Sequence, residues 1–159
     1  GLKIKLVAKV MKTETGEVSL FVAPSFVQKE EYIFNVEEEY NGVVIEGKFY
    51  EKQFMFGKGA GAFPTGSAVL SDITALSHNY KYEYKKLKYF KKPVFTNSVS
   101  LIFYLRYNHK DDLRYFDFEE VYEQYTGRGS HYVIGKISLE KLIKIKNILP
   151  KLPAFLGVM

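Results

Sequence analysis

The sequence contains no cysteine. Disulfide frameworks, thiolate nucleophiles, iron–sulfur clusters and most structural zinc sites are excluded together. The same absence suits a reducing compartment, so a cytoplasmic location is the expectation. Histidine is scarce as well: His78, His109 and His131 are the whole set, and no metal ligands are assigned. No run of 18 apolar residues occurs, so no membrane-spanning helix is expected, and no secretory signal pattern opens the chain. There is no initiator methionine. The chain starts Gly1-Leu2-Lys3-Ile4, directly in a strand-like pattern, which leads to the expectation of a segment cut from a longer protein. What is present is ordinary for a packed domain. The 159 residues are 47% hydrophobic and 26% charged, enough to bury a core unaided.

The net charge of +5 is concentrated in one segment. Residues 81–92, KYEYKKLKYFKK, carry six lysines and one glutamate, and the rest of the chain is neutral. Tyr82, Tyr84, Tyr89 and Phe90 interleave with those lysines, a pattern that single-stranded nucleic-acid sites use. No RNA-binding motif accompanies it, and a solvated helix end running into Pro93 is the favoured reading. Tyr80, Tyr84 and Leu87 also fall at helical spacing and fit a buried stripe.

Leu2, Ile4, Leu6, Ala8 and Val10 alternate with Lys3, Lys5 and Lys9, which predicts a half-buried strand. A polar turn over 13–16 leads to a second strand from Val18 to Ala23, closed by Pro24. Residues 28–41 read as an exposed loop with short turns, and Asn41-Gly42 as a turn signal. Val43–Phe49 and Lys52–Phe56 read as an antiparallel pair. A glycine-rich turn follows and opens a helix, with Thr65 or Ser67 as its cap and Ala68, Val69, Ile73 and Leu76 as its apolar face. Beyond residue 97 the spacing predicts strands at Ser98–Tyr107, Phe118–Thr126 and His131–Ile137. A helix capped by Ser138 over Leu139–Leu149 and a last strand at Ala154–Met159 complete the chain.

The glycine-rich turn is the strongest candidate for chemistry. Glycines let backbone N–H groups approach an anion, and a helix N-terminus adds a favourable dipole. Gly57-Lys58-Gly59-Ala60-Gly61-Ala62 formally fits the dinucleotide fingerprint G-x-G-x-x-G/A. The strand before it belongs to a hairpin, however, and the acidic residue some twenty positions on is Glu83, inside the lysine run. From the pattern alone, phosphate contact and mere close packing of the helix stay open.

The stretch GKGAGAFPTGSAVLSDI resembles the closing motif of the homoserine dehydrogenase catalytic region. The resemblance runs backwards, in the family's order, through NGVVIEGKFYEKQFMF, VSLFVAPSFV and LKIKLVAKV, and covers about the first half of the chain. It implies an oxidoreductase that interconverts L-aspartate 4-semialdehyde and L-homoserine with NAD(P)H by hydride transfer, on the route to threonine and methionine. It also implies a Rossmann domain and a catalytic lysine and aspartate, all upstream of Gly1. No catalytic residue is therefore assigned here, no cofactor is expected to stay bound to this segment, and the segment alone is expected to be inactive. The cofactor contact that carries over is Gly61, with Gly59, Ala60 and Thr65 lining the same turn. Lys58 reads as a solvated lysine beside the turn and Asp72 as structural.

Residues 98–159 resemble an ACT domain, the amino-acid-sensing module appended to enzymes of this pathway. The family's acidic-residue–x–Pro-Gly loop is missing, and Asn108–Asp117 is too short for a full first helix. The expected fold is α+β: mainly antiparallel sheet with a Gly-rich turn into a helix, followed by a small ACT-like (ferredoxin-like) sandwich. The expected division is 1–78 for the end of the catalytic and dimerisation region, 79–97 for a basic connection, and 98–159 for a degenerate ACT-like regulatory or assembly domain. The helix near residues 65–76 is expected to expose apolar surface that the Rossmann domain would cover, so a homo-oligomer, at least a dimer, is expected. An amino-acid effector such as threonine and a pure assembly role remain alternatives, and nucleic-acid binding is the weaker one. His78 and His109 read as solvated and His131 as a strand start. Glu119, Glu120 and Glu123 read as a strand's outer face, and Arg106, Arg114 and Arg128 as surface ion-pair formers.

Overall fold

The computed structural model describes residues 1–80, 88, 89 and 91–159. Most of the lysine run, and Tyr84 and Leu87 of the expected stripe, lie outside the described residues. Two compact units are present, residues 1–27 with 92–159, and residues 28–91. These are units in space. The boundaries expected near residues 78 and 97 divide the chain by sequence resemblance, and the two partitions differ.

Unit 1 is a six-stranded sheet. Its strands are β1 (Lys3–Lys12), β2 (Val18–Val27), β5 (Ser100–Tyr107), β6 (Glu120–Thr126), β7 (His131–Ser138) and β8 (Ala154–Val158), in the spatial order β1-β2-β8-β5-β7-β6. All neighbours are antiparallel except β2 and β8, which meet in parallel at Ser25 and Val158. Between β5 and β6 lies a 3₁₀ segment, Lys110–Tyr115, and between β7 and β8 the short helix α2 (Leu139–Lys144). These segments cover one face, where Phe103, Leu105, Tyr107, Phe116, Val133, Ile137, Leu139, Leu142 and Val158 form the buried core. Ser138 caps α2 as expected, accepting the Lys141 N–H at 3.3 Å. The helix stops at Lys144, five residues before the expected Leu149, and 3₁₀ turns carry the chain to β8.

Three sequence expectations are corrected here. Pro24 does not close β2, which runs on to Val27 with Pro24 opposite Leu6. β2 meets β8 only at Ser25, so at Pro24 the strand has one neighbour and the missing donor is tolerated. Asn41-Gly42 is not a turn but lies inside a strand, Tyr40–Gly47. The third correction concerns β1, whose strand period is as expected but whose faces are reversed. Ile4, Leu6, Ala8 and Val10 are exposed, Leu6 to 74% and Val10 to 72%, while Lys3, Lys5 and Lys9 are half-buried.

Unit 2 holds the hairpin β3 (Tyr40–Gly47) and β4 (Glu51–Lys58), paired in register from Tyr40↔Lys58 to Gly47↔Glu51, and the helix α1 (Ala62–Ser77). Tyr40, Gly42 and Val44 share a hairpin face with Phe54, Phe56 and Lys58. There the rings of Tyr32, Phe54, Phe56 and Tyr40 form a column with centroid spacings of 5.5, 5.8 and 4.8 Å. Neither Thr65 nor Ser67 caps α1. Gly61 is the N-cap, at φ 113°, and no side chain accepts from the first turn. Pro64 fits inside that turn because its missing N–H would have had no intrahelical partner. The helix ends in a Schellman motif. Asn79 takes the left-handed conformation at φ 56°, its N–H bonds Leu76 C=O at 3.0 Å, and the Tyr80 N–H bonds Ala75 C=O at 2.9 Å. No residue of α1 is buried.

A glycine turn at the start of α1

β4 delivers the chain into Gly59-Ala60-Gly61, and α1 leaves it. Three contacts from the start of β3 fix the end of β4. The Lys58 ammonium reaches Glu39 Oε1 at 2.6 Å. It also lies over the Tyr40 ring, 5.1 Å from the centroid. The Gly59 N–H donates to Glu39 C=O at 2.9 Å. The Lys58 hydrogen bond holds the Glu39 carboxyl below the ordinary carboxylate range, and Glu39 in turn raises Lys58. Lys58 is thus solvated, as expected from sequence, and also paired with Glu39.

The turn itself requires glycine at Gly61, whose φ lies where an L side chain is strained. Thr65 donates its backbone N–H to Gly61 C=O at 3.1 Å, so it closes the first helical turn through its backbone. Glu39, Lys58, Ala60, Gly61, Ala62, Phe63 and Pro64 line an open cavity of about 250 Å³. Of the four sequence-assigned contacts, Gly61 and Ala60 line this cavity, Gly59 lies directly beside them, and Thr65 is tied to Gly61. The turn offers a helix N-terminus with no capping side chain and no acidic residue in its first turn. That arrangement favours an anionic or electron-rich ligand edge. Glu39 and Tyr40 were missed from sequence because they lie nineteen and eighteen residues before Lys58. Only the hairpin register, Tyr40↔Lys58, brings them together.

A larger open cleft of about 600 Å³ lies at the other end of the hairpin, lined by Tyr32, Glu46, Gly47, Tyr50, Glu51 and Lys52. Lys52 and Glu46 are ion-paired there at 2.8 Å. Among the described residues no cluster of side chains suited to a metal ion is present, and no helix is long and apolar enough to cross a membrane.

The other singled-out residues serve local structure. His78 is the exposed C-cap of α1. His109 precedes the 3₁₀ segment and donates its backbone N–H to Asp112 at 3.3 Å. His131 stacks on Tyr107 with centroids 5.4 Å apart. Glu123 accepts from Tyr132 and Glu120 from Tyr122, and each bond raises its tyrosine's pKa. Arg114 donates to the Tyr115 hydroxyl at 3.0 Å.

The Glu39–Lys58 pair gives a pH prediction. Glu39 is depressed, so its contribution is present above the ordinary glutamate value and is lost as pH falls through the lower folded value. Lys58 is raised, so its contribution is present below the ordinary lysine value and is lost as pH rises through the higher folded one. Protection of the Gly59 amide, corrected for intrinsic exchange, should be flat between about pH 5 and 10 and fall outside that window. In Glu39→Gln the plateau should be lower and the acid limb should vanish. An unchanged profile in the variant would detach the turn from this pair.

Residues 1–74 match the homoserine dehydrogenase family. The chain is 39% identical over 77 residues to a homoserine dehydrogenase of Synechocystis sp., covering 46% of this chain and 18% of that protein. It is 36% identical over 73 residues to one of Neisseria gonorrhoeae, covering 46% of this chain and 17% of that protein. Along 91% of its length it is 22% identical to the homoserine dehydrogenase of Bacillus subtilis, of which it covers 32%. In structure it is similar to a homoserine dehydrogenase from Thiobacillus denitrificans, with TM-score 0.64 and 20% identity, covering 100% of this chain and 42% of that one. The Staphylococcus aureus enzyme gives TM-score 0.55 and 24% identity, covering 99% and 42%. The chain thus spans less than half the length of these relatives. It resembles homoserine dehydrogenases in sequence over its first half and in fold along its whole length, and the fold is α+β and mainly sheet.

Proposed function

We propose that this chain works as part of a homoserine dehydrogenase, an NAD(P)-dependent oxidoreductase interconverting L-aspartate 4-semialdehyde and L-homoserine in threonine and methionine biosynthesis. The observation that carries this reading is the sequence match over residues 1–74, which ends within α1 and includes the whole glycine turn. The cofactor would supply hydride exchange at its nicotinamide. The chain's own residues supply a surface for it. Gly61 lets the backbone approach closely, Gly59 and Ala60 continue that surface, and Thr65 keeps the first turn of α1 wound. The uncapped first turn fits such a ligand, because its N–H groups have no competing side chain. Glu39 balances the charge of Lys58 and keeps its ammonium at the turn's edge.

The test is Gly61→Val in an enzyme containing this segment. A side chain at that φ blocks approach, so KM for NAD(P)H should rise at least about tenfold while KM for the aldehyde moves little. Equal changes in both would mean a general folding defect. The isolated 159-residue chain should not oxidise homoserine, since the reading places the acid–base groups elsewhere. Measured turnover by the isolated chain would refute that assignment.

A second reading concerns the later residues. The order β8-β5-β7-β6 is fourth-first-third-second strand of that half, the arrangement of ferredoxin-like ACT modules, with a 3₁₀ segment in place of the first helix. This supports residues 98–159 as an ACT-like regulatory or assembly domain after a catalytic part, 1–78, and a basic connection, 79–97. Titration calorimetry with threonine discriminates the two roles: saturable heat marks an effector site, and none from folded protein leaves assembly. The setting proposed is cytoplasmic, with the parent's Rossmann domain and a second copy of the chain as partners. The exposed Val69, Leu70, Ile73 and Leu76 of α1 support a partner for that helix.

A further inference from the structure

The aromatic column of unit 2 ends, on the side away from the glycine turn, at the hairpin loop. There Tyr32, Glu46, Gly47, Tyr50, Glu51 and Lys52 line the open cleft of about 600 Å³. We propose that this cleft is a binding site for a small organic cation, an ammonium or guanidinium head on a short body. The site is separate from the glycine turn. β3 and β4 stay paired from Tyr40↔Lys58 at the turn to Gly47↔Glu51 at the cleft, seven steps or about 23 Å away.

Four observations support it. First, the walls are aromatic and held in place. Phe54 stacks on one face of Tyr32, with centroids 5.5 Å apart and planes within 13°. Tyr50 folds back over Gly47, where an added Cβ would lie 2.7 Å from the tyrosine hydroxyl. Both tyrosines are about half exposed, and a cation is attracted to the face of such a ring. Second, the lining is negative. Two carboxylates, Glu46 and Glu51, stand against one ammonium, Lys52. Lys52 bonds Glu46 at 2.8 Å, and among the described residues Glu51 has no ion-pair partner. Lys52 is raised above the ordinary lysine range, first by its hydrogen bond to Glu46 and further by Tyr32 and Glu31, so positive charge is favoured here. Third, Glu51 sits at φ 53°, where a residue with a side chain is strained. Glycine would make the same loop without strain, so the loop alone does not account for a glutamate. A carboxylate needed in the cleft does. Fourth, the volume is that of a small-molecule site and far exceeds a bare ion. No side-chain cluster among the described residues suits a metal ion, so the charge belongs on an organic body.

The experiment follows amide and tyrosine ring resonances of the 159-residue chain during titration with butylguanidinium, butylammonium and uncharged butanol. A cation should give saturating shifts confined to Tyr32 and residues 46–52, and butanol should give none. The tighter of the two cations identifies the head group. Glu51→Gln should weaken binding at least about tenfold, the effect of losing one charge-assisted contact. Tyr50→Leu keeps the bulk and loses the ring face, and should weaken it about threefold. Glu14→Gln, in the turn between β1 and β2, should change nothing. Glu51→Gly removes the carboxylate and the strain together, so the hairpin should stay folded while the shifts vanish. The proposal is overturned by the absence of saturable shifts with either cation up to about 20 mM, by an equal response to butanol, or by undiminished binding in Glu51→Gln.

Discussion

Phe103→Ala should destabilise unit 1 by about 4 kcal/mol, the cost of truncating a buried aromatic in a core that relaxes only partly. Phe103 is 2% exposed and sits on β5, one of the two strands with neighbours on both sides in the four-stranded half. Its ladder partners are Gly135 on β7 and Val158 on β8. Gly135 has no side chain of its own to swing into the space left by the ring. Val158 is already buried against the core. The measurement is the urea midpoint followed by near-ultraviolet circular dichroism. The slope should be unchanged and the midpoint lowered by the equivalent of that energy. A loss below about 1 kcal/mol would mean the site collapses freely, and that the core is less tightly packed than its burial implies.

Gly135→Val should be the second most damaging change, for the opposite reason. An added Cβ would stand 2.6 Å from the Glu120 carbonyl oxygen and 2.7 Å from the Phe118 ring. The ring can turn, but the carbonyl belongs to the backbone of β6 and cannot move without opening the ladder to β7. Overpacking of this kind costs about 1–3 kcal/mol. The damage should be local as well as global. Amides of residues 120–126 should lose hydrogen-exchange protection while those of β5 and β8 keep theirs. Retained protection across β6 would show that the strand shifts as a body, and the bulge already present between Val121 and Glu123 would be the place that absorbs it.

The strands were legible because a period of two survives whatever the strand packs against. All eight lie close to where alternation and turn residues put them. Which face is covered was not legible, and β1 shows why. The alternation of Leu2, Ile4, Leu6, Ala8 and Val10 with lysines says that two faces differ, and burial says which one meets the rest of this chain. Pro24 misled because its meaning depends on how many neighbours the strand has, a property of the whole sheet. Asn41-Gly42 misled because the same dipeptide that turns a chain also relieves crowding in a strand. A Cβ at Gly42 would lie 2.8 Å from Val36 and 2.9 Å from Phe54. In α1 the capping hydroxyls of Thr65 and Ser67 are credible by type, but the cap is Gly61, four and six residues earlier, and the stop at Asn79 carries no glycine or proline to mark it. In the glycine turn, the sequence named the glycines and left out the groups that hold them. Glu39 and Tyr40 carry no local signal, and the hairpin register creates their role.

The joint between β2 and β8 bears on how the molecule comes to exist. β2 ends at Val27, and the strand it must meet is the last in the sequence. All of residues 28–91 and three further strands emerge before Val158 can lie beside Ser25. The β1–β2 hairpin therefore waits while residues 28–153 are made, with its second neighbour missing and its aliphatic side open. Contacts of such long sequence separation form late and slowly, because the intervening chain must first be brought together. A nascent hairpin of that kind is a sticky object on the ribosome. Its closing partner arrives only with β8, so deletion of that one strand should leave a chain that is made but does not mature.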